Sequence, residues 1–207
     1  RRCVGLDEAS MIDPELQIII GKTVTKDPWK NRWSVVEEFG GGWAVELEVA
    51  ELLHSIVRAL KPDVIVETGT HKGFSALMMA KAIEQNGNGH LYTADMVDHG
   101  VKALFERFKV SPFVTFLQMH SVDMLNSMSR DMKIDFLWLD ADHGEESVLA
   151  EVEASLPFLR PGSYVGFHDA LIDPREDRAV KKVRAQHPTW EYVRLFSARG
   201  VDLMRTV

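Results

Sequence analysis

The sequence predicts an α/β fold: a seven-stranded, mostly parallel sheet with helices on both faces. Three observations predict it. Apolar, β-branched runs of strand length alternate along the chain with longer stripes of helical period. Val64-Ile65-Val66 runs into Glu67-Thr68-Gly69-Thr70-His71-Lys72-Gly73 and then into Phe74-Ser75, which reads as strand, glycine-bracketed turn and helix. That is the first βα turn of a nucleotide-binding sheet. Finally, Trp190 to Phe196 and Val201 to Val207 flank a turn at Ala198-Arg199-Gly200. A hairpin there places one antiparallel strand in an otherwise parallel sheet.

A chain of 207 residues suits one domain, with or without an appended arm. The formal net charge of −7 argues against nucleic acid as the main partner. Cys3 is the single cysteine, so no intrachain disulfide can form, and a reducing, cytoplasmic setting is expected. No apolar run approaches the roughly 20 residues of a membrane span, so no membrane partner is expected.

Residues 1–42 show no clean period and read as an arm. It holds the apolar run Leu16 to Ile20, an aromatic and basic cluster from Asp27 to Trp33 that includes Trp29, and Gly40-Gly41-Gly42. Either the tryptophans pack the arm onto the domain, or the arm is a lid hinged at the glycines. The domain proper is expected over 43–207. Trp43 to Leu60 reads as a helix with the stripe Val49, Leu52, Leu53, Ile56, Val57 and Leu60, stopped by Lys61-Pro62. The first strand and the helix from Phe74 to Glu84 follow, closed by Asn86-Gly87-Asn88-Gly89. His90 to Asp95 is the second strand, and Val101, Leu104, Phe105 and Phe108 mark the next helix. Phe113 to Met119 is the third strand, with a helix expected over Val122 to Arg130. Ile134 to Leu139 is the fourth, followed by a helix over Glu145 to Leu159. Arg160-Pro161-Gly162 reads as a turn into the fifth strand, Ser163 to Phe167. Arg175 to Gln186 reads as a charged, exposed helix.

The spacing Glu-x-Gly-x-x-x-Gly departs from the Gly-x-Gly-x-x-Gly suited to a pyrophosphate. His71 stands where a dinucleotide turn wants its second glycine, which moves the reading from NAD toward S-adenosylmethionine, a ligand without phosphate. Glu67 to Ser75 resembles motif I of the class I S-adenosylmethionine-dependent methyltransferases. The resemblance implies a Rossmann-like fold and a cofactor site built from Glu67, Gly69, Thr70, His71, Gly73 and Ser75. Asp95 lies about 20 residues past the turn, where an acid accepts ribose hydroxyls; the competing role is a cap on the next helix. By the same resemblance Ser121 and Val122 flank the adenine and Asp140 borders the cofactor. Ser121 is also a candidate N-cap.

Acids and imidazoles gather at the strand ends: Asp140, Asp142, His143, His168 and Asp169. Asp140, His168 and Asp169 could converge on a divalent cation, Mg or Mn, that holds a hydroxyl substrate. His143, three residues beyond Asp140, could take the hydroxyl proton. The bland alternative is that Asp142 caps a helix while both histidines are surface residues. The Asp-x-x-base element, with a pair 28 residues beyond Asp140, is similar to metal-dependent O-methyltransferases. The catechol O-methyltransferase-like group has lysine at the base position; the macrolide-sugar O-methyltransferases have histidine, as His143 here. The resemblance covers roughly residues 43–207. It implies methyl transfer from S-adenosylmethionine to the hydroxyl of a small molecule. Separately, a second copy of the chain is an expected partner. His168-Asp169 departs from the usual pair of oxygen donors: either the metal is a softer one, Mn, Fe or Zn, or His168 is not a ligand and the site is weakened or lost, which leaves a metal-independent methyltransferase as the alternative. A nicotinamide-dependent oxidoreductase and a non-catalytic nucleoside-binding protein are the rivals from other classes.

Overall fold

The structure is a computed structural model and describes residues 13–22, 24–26 and 33–207. Cys3 and the run Asp27 to Arg32, with Trp29, lie outside the described residues. In chain order the elements are α1 (Pro14–Ile20), β1 (Val24–Lys26), β2 (Trp33–Val35), α2 (Leu47–Leu60), β3 (Val64–Thr68), α3 (Phe74–Asn86), β4 (His90–Asp95) and α4 (Val101–Arg107). They continue as β5 (Val114–Gln118), α5 (Ser121–Ser127), β6 (Ile134–Leu139), α6 (Glu145–Ser155), β7 (Leu159–His168), α7 (Pro174–Gln186), β8 (Glu191–Leu195) and β9 (Val201–Arg205).

One sheet of order β5-β4-β3-β6-β7-β9-β8 organises the molecule. Strands β3 to β7 pair in parallel, and β9 runs antiparallel between β7 and β8. Side chains alternate across a strand, and here the alternation assigns each residue to a face. Ile65, Phe136 and Trp138 join the core with α2, α3 and α4. Val66, Leu137 and Leu139 join the opposite core with α5, α6 and α7. Strands buried on both faces need continuous apolar runs, as in Ile134 to Leu139. Parts of the arm enter the first core: Leu16 and Ile19 of α1 are buried there, and Phe39 stacks on Phe74 at 4.6 Å.

Several expectations about elements are corrected. α2 begins at Leu47, with Glu46 as its N-cap, because Gly41 to Trp43 is a separate 3-10 turn. α5 starts at Ser121 with His120 as N-cap, its Nδ1 accepting from the Val122 N–H at 3.2 Å, so Ser121 does not cap. Arg160 to Gly162 is not a turn but the opening of β7, which meets β6 through a register irregularity between Ile134 and Phe136. α7 is not exposed all round: Glu176, Ala179, Val180 and Val183, at i, i+3, i+4 and i+7, form a buried stripe. Among the described residues no helix is long and apolar enough to cross a membrane.

Candidate active site at the carboxyl ends of the strands

In an open parallel sheet the ligand crevice lies beyond the carboxyl ends of the strands, where the winding reverses. Here that is the boundary between β3 and β6. A cavity of about 640 Å³ opens there, and Gly69, His71, Asp95, Ser121, Asp140, His143 and Asp169 all stand on its wall. Its size is that of a small-molecule site. Thr70, Gly73 and Ser75 line a smaller adjoining pocket of about 30 Å³. Val122 does not reach the wall; a helix turns by about 100° per residue, which carries it away from the side Ser121 presents.

The turn after β3 is held by contacts within the protein. Gly69 has φ +84°, and a Cβ there would stand 2.1 Å from the Asp140 carbonyl oxygen. The glycine is required by the close approach of the β6 loop. Gly40, in the segment expected as a hinge, packs the same way: a Cβ would stand 2.5 Å from the His71 ring. The His71 N–H donates to Asp95 Oδ2 at 2.7 Å, and the Val97 N–H donates to Asp95 Oδ1 at 3.1 Å. Asp95 is thereby fixed on the cavity wall, with lone pairs left to accept further donors.

Two carboxyls lie behind this wall. Glu67 is fully buried, and burial pushes it up to about 8 despite hydrogen bonds from Ser75 and Thr93. It lies behind the glycine turn as a carboxyl that burial pushes toward its neutral form. Burial likewise raises Glu151 to about 7 against hydrogen bonds from Ser121 and Thr68.

The opposite side of the cavity is a network of acids and cations. Asp140, His143 and Asp169 offer donor atoms within 4.8 Å of one another. His143 Nε2 is 3.2 Å from Asp169 Oδ2, and its Nδ1 is 3.5 Å from Glu176 Oε2. Burial works to lower His143, but the hydrogen bond to Glu176 and the charges of Asp140, Asp169 and Glu176 prevail and its pKa is raised. Burial raises Glu176 itself to about 7. His168 is a correction. It is not among the three grouped donors: it is almost fully buried, with Nε2 2.7 Å from Glu46 Oε2 and Nδ1 3.0 Å from Asp140 Oδ1. Burial opposes its charge, but Asp140, Glu46 and Asp169 raise its pKa well above the usual histidine value. Both ring nitrogens thus already face carboxylates. The Arg199 guanidinium also holds Asp169 Oδ2. A divalent cation at this group would compete with partners already present, since Asp140 Oδ1 faces His168 and Asp169 Oδ2 faces Arg199 and His143, while Asp169 Oδ1 is buried without a hydrogen bond. Asp142, the suggested cap, accepts from the Gly144 N–H and the Ser147 hydroxyl at the head of α6.

Glu46, Glu176 and Arg199 were not singled out by sequence reasoning. For Glu176 a signal existed, an acid heading the apolar stripe of α7. For Glu46 and Arg199, at a helix start and in a turn, no local pattern marks a buried partner.

The sheet order, its single antiparallel strand and the crevice at the β3–β6 boundary define a class I methyltransferase fold. The chain belongs to the family described as methyltransferase domain, whose profile matches residues 66–170. It is 32% identical over 124 residues to the rhamnosyl O-methyltransferases of Mycobacterium bovis and Mycobacterium tuberculosis, a match covering 57% of this chain and 50% of theirs. The chain thus spans about half the length of these curated relatives. Among solved structures it is similar to an O-methyltransferase from Bacillus cereus in complex with SAH, with TM-score 0.66, 19% identity and coverage of 80% of this chain and 84% of that one. The O-methyltransferase TomG from Streptomyces achromogenes, in complex with SAM, gives TM-score 0.67, 18% identity and coverage of 83% and 85%. The SAH-bound methyltransferase PaMTH1 from Podospora anserina gives TM-score 0.69, 14% identity and coverage of 100% and 99%.

Proposed function

We propose that this protein transfers a methyl group from S-adenosylmethionine to a hydroxyl of a small molecule. One observation carries the reading. The glycine turn and Asp95 on one side, and His143 within an acid network on the other, share one cavity. The methyltransferase-domain family and the O-methyltransferases among its relatives support it.

When bound, S-adenosylmethionine supplies a sulfonium methyl group; the C–S bond breaks with its electron pair on sulfur as the new C–O bond forms. Asp95 would accept the ribose hydroxyls, and Gly69 and His71 would form the floor beneath the cofactor. Ser121 would border the adenine. His143, in its neutral form, would take the acceptor hydroxyl proton at Nε2, and Asp169 and Glu176 would stabilise the imidazolium that results. Walls on both sides restrict water and align the reacting atoms. Metal assistance, which the resemblance implied, is left out of this reading because Asp169 is already held by Arg199.

The test is calorimetry with S-adenosylhomocysteine and with NAD, followed by transfer of labelled methyl groups to a panel of hydroxyl compounds. The first ligand should bind and NAD should not. His143→Ala should retain the cofactor and slow transfer by roughly 10²–10⁴-fold. Preference for NAD would point to the oxidoreductase, and failure of both ligands would point to a binding protein of another kind.

A further inference from the structure

We infer that Arg199 is the resident cation of the acceptor site, standing in for a divalent metal, and that the protein works without one. The inference rests on the methyltransferase reading above. It also accounts for a mismatch: the strand ends offer metal-type donors that are already engaged.

Asp140, His143 and Asp169 are the residue types that hold hard or borderline cations. One donor atom of each already faces an internal partner. His168 Nδ1 lies 3.0 Å from Asp140 Oδ1. Asp169 Oδ2 accepts from the Arg199 guanidinium and lies 3.2 Å from His143 Nε2. A dication binding through these oxygens would have to displace the guanidinium or sit against a like charge.

Arg199 is not a surface arginine lying by chance on an acid. Its side chain is only 15% exposed. Its backbone N–H donates to Glu46 Oε1 at 3.0 Å, and its Nη1 donates to the Ala44 carbonyl at 3.1 Å and the Gly42 carbonyl at 3.4 Å. Those carbonyls flank Trp43, which is 87% exposed and stands on the cavity wall with Arg199 itself. The guanidinium thus joins Asp169 to the cavity mouth. A planar fork that always stays charged suits this position better than lysine would.

Glu46, Asp140 and Asp169 are joined with His168 and Arg199 in one connected network, and the guanidinium occupies the place beside Asp169 that a cation would take.

Arg199 is therefore a positioning residue acting through Asp169. The probe is Mn²⁺ alone, with no acceptor, titrated by calorimetry and electron paramagnetic resonance against the whole chain. The parent protein should show no saturable 1:1 binding in the millimolar range, and its methyl transfer should be unchanged in excess chelator. Arg199→Ala frees Asp169 and should bind Mn²⁺ at least ~10-fold more tightly than the parent. Its slowed transfer should be partly restored by Mn²⁺, a response that loss of a merely structural contact would not give. Should that variant not fold, Arg199→Gln takes its place in the same titration. Saturable Mn²⁺ binding by the parent, or chelator-sensitive transfer, would overturn the inference. So would variants that fold but gain no Mn²⁺ affinity. If no acceptor is methylated at all, the proposed reaction fails while the Mn²⁺ titrations still decide the question of the metal.

Discussion

His168 Nε2 stands 2.7 Å from Glu46 Oε2, and both side chains are almost wholly buried. The pair joins the start of α2 to the end of β7. His168 is raised well above its usual value, with burial opposing and Asp140 and Glu46 prevailing. Glu46 is lowered, with burial again opposing and His168 prevailing. The histidine's contribution to stability is full below its unfolded value of 6.5 and is lost as pH rises through its raised folded value. The glutamate's contribution is present above 4.5 and is lost as pH falls through its lowered folded value. Glu46→Gln should therefore destabilise the protein by roughly 3–5 kcal/mol near neutral pH. The difference should shrink at strongly acid and strongly alkaline pH. Urea denaturation across pH measures it, and a pH-independent difference would contradict the ion pair.

Glu67 gives a prediction of opposite character. Its folded value of about 8 lies above the unfolded 4.5, so stability is full below 4.5 and falls as pH rises toward 8. The loss over that window is on the order of 5 kcal/mol. Glu67→Gln should flatten the curve between these limits, leaving slopes from Glu151 and Glu176, which are each raised to about 7. Thermal melts of parent and variant at matched pH provide the comparison.

Gly69→Ala should cost roughly 3 kcal/mol of stability or more, because its Cβ would meet the Asp140 carbonyl in a backbone conformation that alanine resists. Loss of S-adenosylhomocysteine binding should accompany the loss of stability. A variant as stable as the parent that merely fails to bind would show that the glycine serves the ligand rather than the β3–β6 junction.

Asp95→Ala should weaken S-adenosylhomocysteine binding by roughly 2–4 kcal/mol, the worth of two charge-assisted hydrogen bonds. The His71 and Val97 N–H groups lose their acceptor too, so hydrogen exchange at these two amides should rise. Unchanged affinity in a folded variant would remove the ribose from this position.

If His143 is the base proposed above, the rate of methyl transfer should climb with pH through a value above 6.5, since its pKa is raised and a base must first lose its proton. Glu176→Gln removes a stabilising partner of the imidazolium and should move that limb to lower pH. A limb that stays in place would separate Glu176 from the base.

The central strands were legible because their identity lies in local composition. Val64 to Val66 and Ile134 to Leu139 are apolar runs that only a doubly covered strand accommodates, and both are strands. The end of the sheet bearing the site was legible for the same reason, since the acids follow those runs directly. The partners of those acids were not. Glu46 and His168 are 122 residues apart, and Arg199 and Asp169 are 30 apart. Periodicity describes one element's faces and cannot report which polar residue another element brings into contact. His168 was read as a ligand because its position after β7 was visible and its two carboxylate partners were not. The register irregularity at the start of β7 was hidden by Pro161-Gly162, which locally signals a turn.

The network also has an order in time. A chain is made from its amino end, so Glu46 is synthesised long before His168, and Asp169 before Arg199. A nascent chain that has reached Asp169 but not Arg199 holds the acid without its guanidinium partner. β9, which pairs directly with β7, is likewise not yet made. The half of the crevice with the glycine turn can therefore assemble first. The half with Asp169 is completed only when the β8–β9 hairpin has been made, so one wall of the crevice can take shape before the other.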